Sequence, residues 1–231
     1  MYIVYLRCQP IGIHLFRVEA ELDTASVRER NPRGQGERLR AALIDAAIEL
    51  LADLQNVEQL SIRAVTARAG VTPTALYLHF ADKQALIDAV KERCFAELIS
   101  YCSRAMVLDD ARANLEAGCR AYIQFSDERP GYYRILFHTP HDPDCDPAET
   151  LEQAQKQWMP IAIEALGQLI RAVERCLPPG SDPVAPSLMI WAGLHGYIGL
   201  RRGIPDMPFA SPDDYVSQLV DPYVPGSEAA A

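Results

Sequence analysis

Ser61–Lys83, SIRAVTARAGVTPTALYLHFADK, is the stretch on which the reading of this chain turns. Ser61 is a good helix N-cap, and Ile62, Val65, Thr66 and Ala69 recur at i, i+3, i+4 and i+7, one helical face. Gly70 supplies the left-handed residue that ends a helix cheaply. Thr72 caps the next helix, and Pro73 stands at its first position, where a missing N–H costs nothing. Leu76 and Phe80, four apart, point back at the first helix and leave Pro73, Thr74 and Tyr77 outward. So short a helix would not hold alone in water, so its neighbours must present it. Two short helices and a tight turn make a helix-turn-helix, whose second helix is shaped for the DNA major groove.

Working outward, a first helix is expected from about Gly36 to Leu54, with Leu39, Leu43, Ala46, Ala47, Leu50 and Leu54 as its buried stripe. A long fourth helix, about Asp82–Met106, carries the chain out of this head. The remainder keeps the helical period without strand-like alternation. Helices are expected over 111–126, 131–138, 148–176 (interrupted at Pro160), 187–202 and 212–220. The fold class is therefore all-α: residues 33–83 form the helix-turn-helix domain and 84–221 a second helical domain. Residues 1–32 read as a disordered extension or an upstream start, and 222–231 as a frayed tail.

The 231 residues carry a net charge of −9, which argues against a general nucleic-acid coat. The acid is uneven, however. Residues 28–104 hold 11 basic and 10 acidic side chains, leaving 11 and 21 of the totals of 22 and 31 elsewhere. Only the helix-turn-helix end is suited to phosphate. Six scattered cysteines without a CxxC, and no signal peptide, read as reduced thiols of a cytoplasmic protein. No apolar run reaches the roughly 18–20 residues of a membrane span.

AGVTPTALYLHFADKQALIDAV (69–90) resembles the recognition-helix signature of TetR-family transcriptional regulators, and the match extends upstream through ERLRAALIDAAIELLAD (37–53). Two departures stand out. Thr66 occupies a position where the family usually has Ala, though its hydroxyl can bond the carbonyl one turn back. Leu78 replaces a second aromatic after Tyr77. The C-terminal half more weakly resembles the subgroup with a Trp-His-Gly motif, through Trp191, His195 and Gly196 in WAGLHGY and the upstream PGYYRILF (130–137).

The resemblance implies a repressor that binds a palindromic double-stranded DNA operator as a homodimer and is released by a small effector. Tyr77, His79 and Lys83 match family phosphate contacts, and Arg28, Arg30 and Arg33 resemble a basic arm. Ser61, Thr72, Arg38 and Arg63 flank the same surface, with Arg63 in a first turn whose dipole disfavours a cation unless phosphate is near. Base reading falls to Pro73, Thr74 and Ala75, which offer methyls and one hydroxyl, so direct readout is thin.

Aromatic density nominates Tyr122, Phe125, Tyr132, Tyr133, Phe137, Trp158, Met159 and His195 as a ligand pocket, few charges falling on these faces. Such residues are as often plain core. Gly193, Gly196 and Gly199, beside Trp191, let another backbone approach closely, which reads as a dimer interface, with crowding by a neighbouring helix as the alternative. The fourth helix is expected to be the sole physical link between pocket and head.

Three other readings compete: a regulator without a ligand, a thiol-responsive one, and a metal-dependent hydrolase using HTPHDPDCD (138–146), whose His, Cys and Asp are metal-ligand types. That segment is broken by prolines, and no nucleophile–base pairing or phosphate loop supports catalysis. No catalytic role, metal or cofactor is therefore expected.

Overall fold

The computed structural model describes residues 35–54, 59–137 and 159–224, and the regular elements among them are all helical. Helix α1 (Gln35–Asp53) buries Leu43, Ile44, Ala47, Ile48 and Leu51, while Leu39, Leu50 and Leu54 are only half-buried. It is thus rotated slightly from the stripe its sequence suggests. α2 (Ile62–Arg68) starts at Ser61, whose Oγ accepts from Ala64 N at 3.5 Å. It closes at Gly70, φ +71°. Val71 N donates to Thr66 O at 2.9 Å and Gly70 N to Ala67 O at 3.2 Å, the pair of bonds by which a left-handed glycine ends a helix. Thr66 is buried, and its hydroxyl donates to the Ile62 carbonyl one turn back at 3.0 Å, as expected.

α3 (Pro73–Tyr77) follows after a short turn, with Thr72 Oγ1 accepting from Ala75 N at 3.4 Å. Leu76 and Phe80 are buried, and the Arg40 guanidinium lies 5.2 Å over the Phe80 ring. α4 (Lys83–Ala105) is capped by Asp82, whose Oδ1 accepts from Ala85 N at 2.7 Å, and Met106 ends it. These three caps fix the head's geometry: each of them satisfies a donor that the helix start would otherwise leave open.

Five further helices build the rest: α5 (Ala111–Glu128), α6 (Pro130–Phe137), α7 (Met159–Glu174), α8 (Val184–Gly203) and α9 (Pro212–Val220). α4 packs against α5, α6 and α7, α8 lies on α5 and α7, and α9 crosses α5 and α8. No helix among the described residues is long and apolar enough to cross a membrane.

Two expectations are corrected here. α4 is not the sole link between the halves. α6 packs directly on α1, where a Cβ built on Gly131 would lie 2.6 Å from Ala52 Cβ, and Arg134 Nη2 donates to Ala52 O at 2.5 Å. The tail is also held further than expected. Arg112 donates to Val224 O at 2.6 Å and to Asp221 Oδ1 at 2.5 Å, and Val224 is buried. The extension 1–32, the 138–146 cluster, the part 148–158 of an expected helix and the end of the tail lie outside the described residues.

Candidate functional site

Two places carry chemistry. The first is the outer face of α2 and α3. Leu76 and Phe80 anchor α3 from below, so Thr72, Pro73, Thr74 and Tyr77 face outward, Tyr77 with 53% of its surface open. Ala75 is half-buried. Leu78, at the end of α3, is 80% exposed. His79 is half-buried against the start of α1, its Cε1 3.6 Å from where a Gly36 Cβ would stand. Arg38, Ser61 and Arg63 are exposed around it, and Lys83 is half-buried in the first turn of α4. Arg33 lies outside the described residues.

The second is a cavity of about 460 Å³ lined by residues of α4, α5, α6, α7 and α8. Of the aromatic residues expected there, Tyr122 and Phe137 line it, together with Met159. Phe125, Tyr133 and His195 are not among its lining residues. Phe125 turns into the core instead, edge-on to Tyr101 (5.6 Å) and Tyr132 (6.4 Å). Trp158 lies outside the described residues. Trp191, expected at the dimer interface, lines the cavity with one side while remaining 36% exposed. The walls that sequence reasoning missed come from α4 and α7: Leu98, Cys102, Met106 and Leu169 among them. Their amphipathic spacing marks them as buried but cannot separate a wall from a core.

Behind the cavity His195 closes a polar cluster. The Tyr122 hydroxyl lies 2.8 Å from its Nε2 and the Tyr133 hydroxyl 2.7 Å from its Nδ1, with Trp191 and Phe137 edge-on at 4.8 and 4.5 Å. A neutral imidazole has one donor and one acceptor nitrogen, so it satisfies both tyrosines in either tautomer. Burial raises the Tyr122 phenol well above its ordinary value and Tyr133 to about 12. Burial likewise pushes the thiols of Cys94, Cys102 and Cys119 up to about 12, which keeps them protonated and unreactive.

The expected close-packing glycines divide. A Cβ at Gly193 would stand 2.5 Å from Leu219 Cδ1, so this glycine makes room for α9 of its own chain and not for a partner. Gly196 and Gly199 have nothing within 4 Å. They continue an exposed strip of α8 through Leu188 and Ala192.

A three-helix head presenting an outward second helix, joined by one long helix to a hollow helical body, defines the class of one-component helix-turn-helix regulators. Two family models match in register with these two parts: "Bacterial regulatory proteins, tetR family" over residues 43–90, and "Tetracyclin repressor-like, C-terminal domain" over 115–223, together well over half of the chain. The chain belongs to the TetR family. It is 31% identical over 118 residues to the HTH-type transcriptional activator FasR of Mycolicibacterium smegmatis, covering 47% of this chain and 53% of that one. To the class A tetracycline repressor protein from transposon 1721 of Escherichia coli it is 38% identical over 82 residues, 36% and 37% of the two chains. A solved protein of unknown function from Rhodococcus sp. RHA1 superposes with a TM-score of 0.64 at 26% identity, covering 84% of this chain and 97% of that one. The matched region spans about half the length of the first relatives found by sequence.

Proposed function

We propose that this chain is a cytoplasmic, non-enzymatic transcriptional repressor that binds a palindromic operator as a homodimer and releases it when a small, largely apolar molecule fills the α4–α8 cavity. The observation that carries the reading is the α3 face, where an anchored helix of five residues turns Thr72, Pro73, Thr74 and Tyr77 to solvent. Residues 33–83 are the DNA-binding domain and 84–221 the ligand-binding and dimerisation domain. Pro73, Thr74 and Ala75 reach base edges. Arg33, Arg38, Ser61, Arg63, Thr72, Tyr77, His79 and Lys83 meet the backbone, so much of the affinity is electrostatic. Trp191, His195 and Gly196 support a reading of the C-terminal domain as one of the Trp-His-Gly subgroup.

The bare strip of α8 around Gly196 and Gly199 supports a dimer face. Two copies joined there would set their α3 helices on successive major grooves, about 34–36 Å apart. α4 spans 23 residues, on the order of 35 Å. A ligand that tilts it by about ten degrees moves one end by several ångströms, enough to spoil that spacing. Such a ligand must bind the tilted form better, because equal affinity for both forms shifts nothing. The thiol-responsive alternative loses support from thiols that burial holds neutral.

The test is a mobility-shift titration of the full chain against DNA flanking its own gene, at several salt concentrations. Tyr77→Ala is expected to weaken binding about tenfold on all sequences alike, the weight of one charge-assisted hydrogen bond. Lys83→Ala is expected to lower the slope of log affinity against log salt by about one. A monomer without DNA affinity overturns the reading, and an unchanged slope removes Lys83 from the interface. A reporter fused downstream distinguishes repression from activation.

A further inference from the structure

The walls of the cavity narrow the class of molecule it would take, on the reading that it is the effector site. Among the described residues, no Asp, Glu, Lys, Arg or His lines it. An ion placed there would be stripped of water with no counter-charge. Cys102 and Cys119 add only neutral thiols. Tyr122 offers the cavity its ring, because its hydroxyl is already engaged with His195 Nε2 at 2.8 Å.

Among the described wall residues, Gln168 offers a side-chain amide. Gln168 of α7 is half-buried, and its Oε1 accepts from Ser103 Oγ of α4 at 3.2 Å, while its NH2 donates to no described residue. The geometry points to an uncharged, mainly hydrocarbon effector with a single hydrogen-bond acceptor, a ketone, ester or lactone carbonyl, seated on the Gln168 amide. Such a ligand would bridge α7 to the Ser103 end of α4 through one carboxamide.

The test is titration of the full-length protein with three probes of one chain length, methyl decanoate, decanoate and decylamine, followed by calorimetry and by Trp fluorescence, since Trp191 is in the wall. The ester is expected to bind at least tenfold tighter than either ion. Gln168→Leu is expected to cost the ester three- to tenfold, the weight of one net hydrogen bond. Gln168→Glu, of the same shape, is expected to turn the preference toward decylammonium. An ion that binds wild type as tightly as the ester overturns the proposed class while leaving an effector cavity. Ester affinity unchanged in both variants removes Gln168 as the contact and overturns the inference. If no probe binds while Lys83→Ala still lowers the salt slope of DNA binding, ligand control through this cavity fails together with the class, and the DNA-binding reading stands.

Discussion

Among the described residues, Asp88 alone leaves a buried side-chain oxygen, Oδ2, without a hydrogen bond. Its Oδ1 accepts from Gln84 Nε2 one turn earlier at 2.9 Å. Burial pushes the carboxyl above its ordinary 3.8, outweighing the Gln84 bond and the Lys91 charge that pull it down. A raised folded-state value means that the group favours folding while protonated, below about 3.8, and that this contribution is lost as pH rises through the raised value. Asp88→Asn keeps the Gln84 partner and removes the charge. It is expected to raise stability at pH 7 by up to about 1 kcal/mol, with the difference vanishing near pH 3, read as urea midpoints at the two pH values. Residue-level roles were unevenly legible. The Thr66 back-bond and the Ser61, Thr72 and Asp82 caps depend on neighbours three or four residues away, so the sequence contains both partners. Whether Tyr122 or Phe125 faces the cavity depends on how far two helices stand apart, and spacing along one helix is silent on that.

At the scale of elements, α6 is the piece whose role PGYYRILF hides. Read alone it is a short aromatic helix that starts at Gly131. In place, its first turn sits against the last turn of α1 and its last turn supplies Leu136 and Phe137 to the cavity. Arg134 donates to the Ala52 carbonyl, one of the acceptors that the end of α1 leaves without an intrahelical partner. On the proposed reading, a ligand pressing on Phe137 would therefore act on the head through α6 as well as through α4. Gly131→Ala should test the tightness of this pin. Its Cβ would meet Ala52 Cα at 3.1 Å as well as Ala52 Cβ, and backbone does not yield cheaply. The expected loss is about 1–3 kcal/mol in chemical denaturation, with weakened DNA binding even where the variant remains folded. Normal stability and normal binding would show that the two helices slide freely.

For the whole molecule, the arrangement of α8 decides what a second copy can touch. Gly193, Gly196 and Gly199 suggest one continuous stripe in sequence, but each three-residue step falls about 60° short of a full turn, so the first and third lie about 120° apart. Gly193 consequently faces α9 and receives Leu219, while the other two remain bare. Gly199→Arg should leave the monomer folded and shift it toward a single chain in light scattering at micromolar concentration. Gly193→Ala should do the opposite, costing stability through Leu219 while sparing the oligomer. Were Gly199→Arg to remain as associated as wild type, the dimer face would lie elsewhere.

None of the residues lining the cavity belongs to α1, α2 or α3. Inheritance can act on that separation. If the proposed effector and DNA roles hold, a duplicated copy that exchanges Leu for Phe on α7 or α5 would acquire a new chemical sense while continuing to address the same promoter. A copy altered at Thr74 would then carry an old sense to a new one. The close approach of Gly131 to Ala52 joins the halves, and lineages of such regulators are expected to diverge fastest in their cavity walls and slowest at that seam.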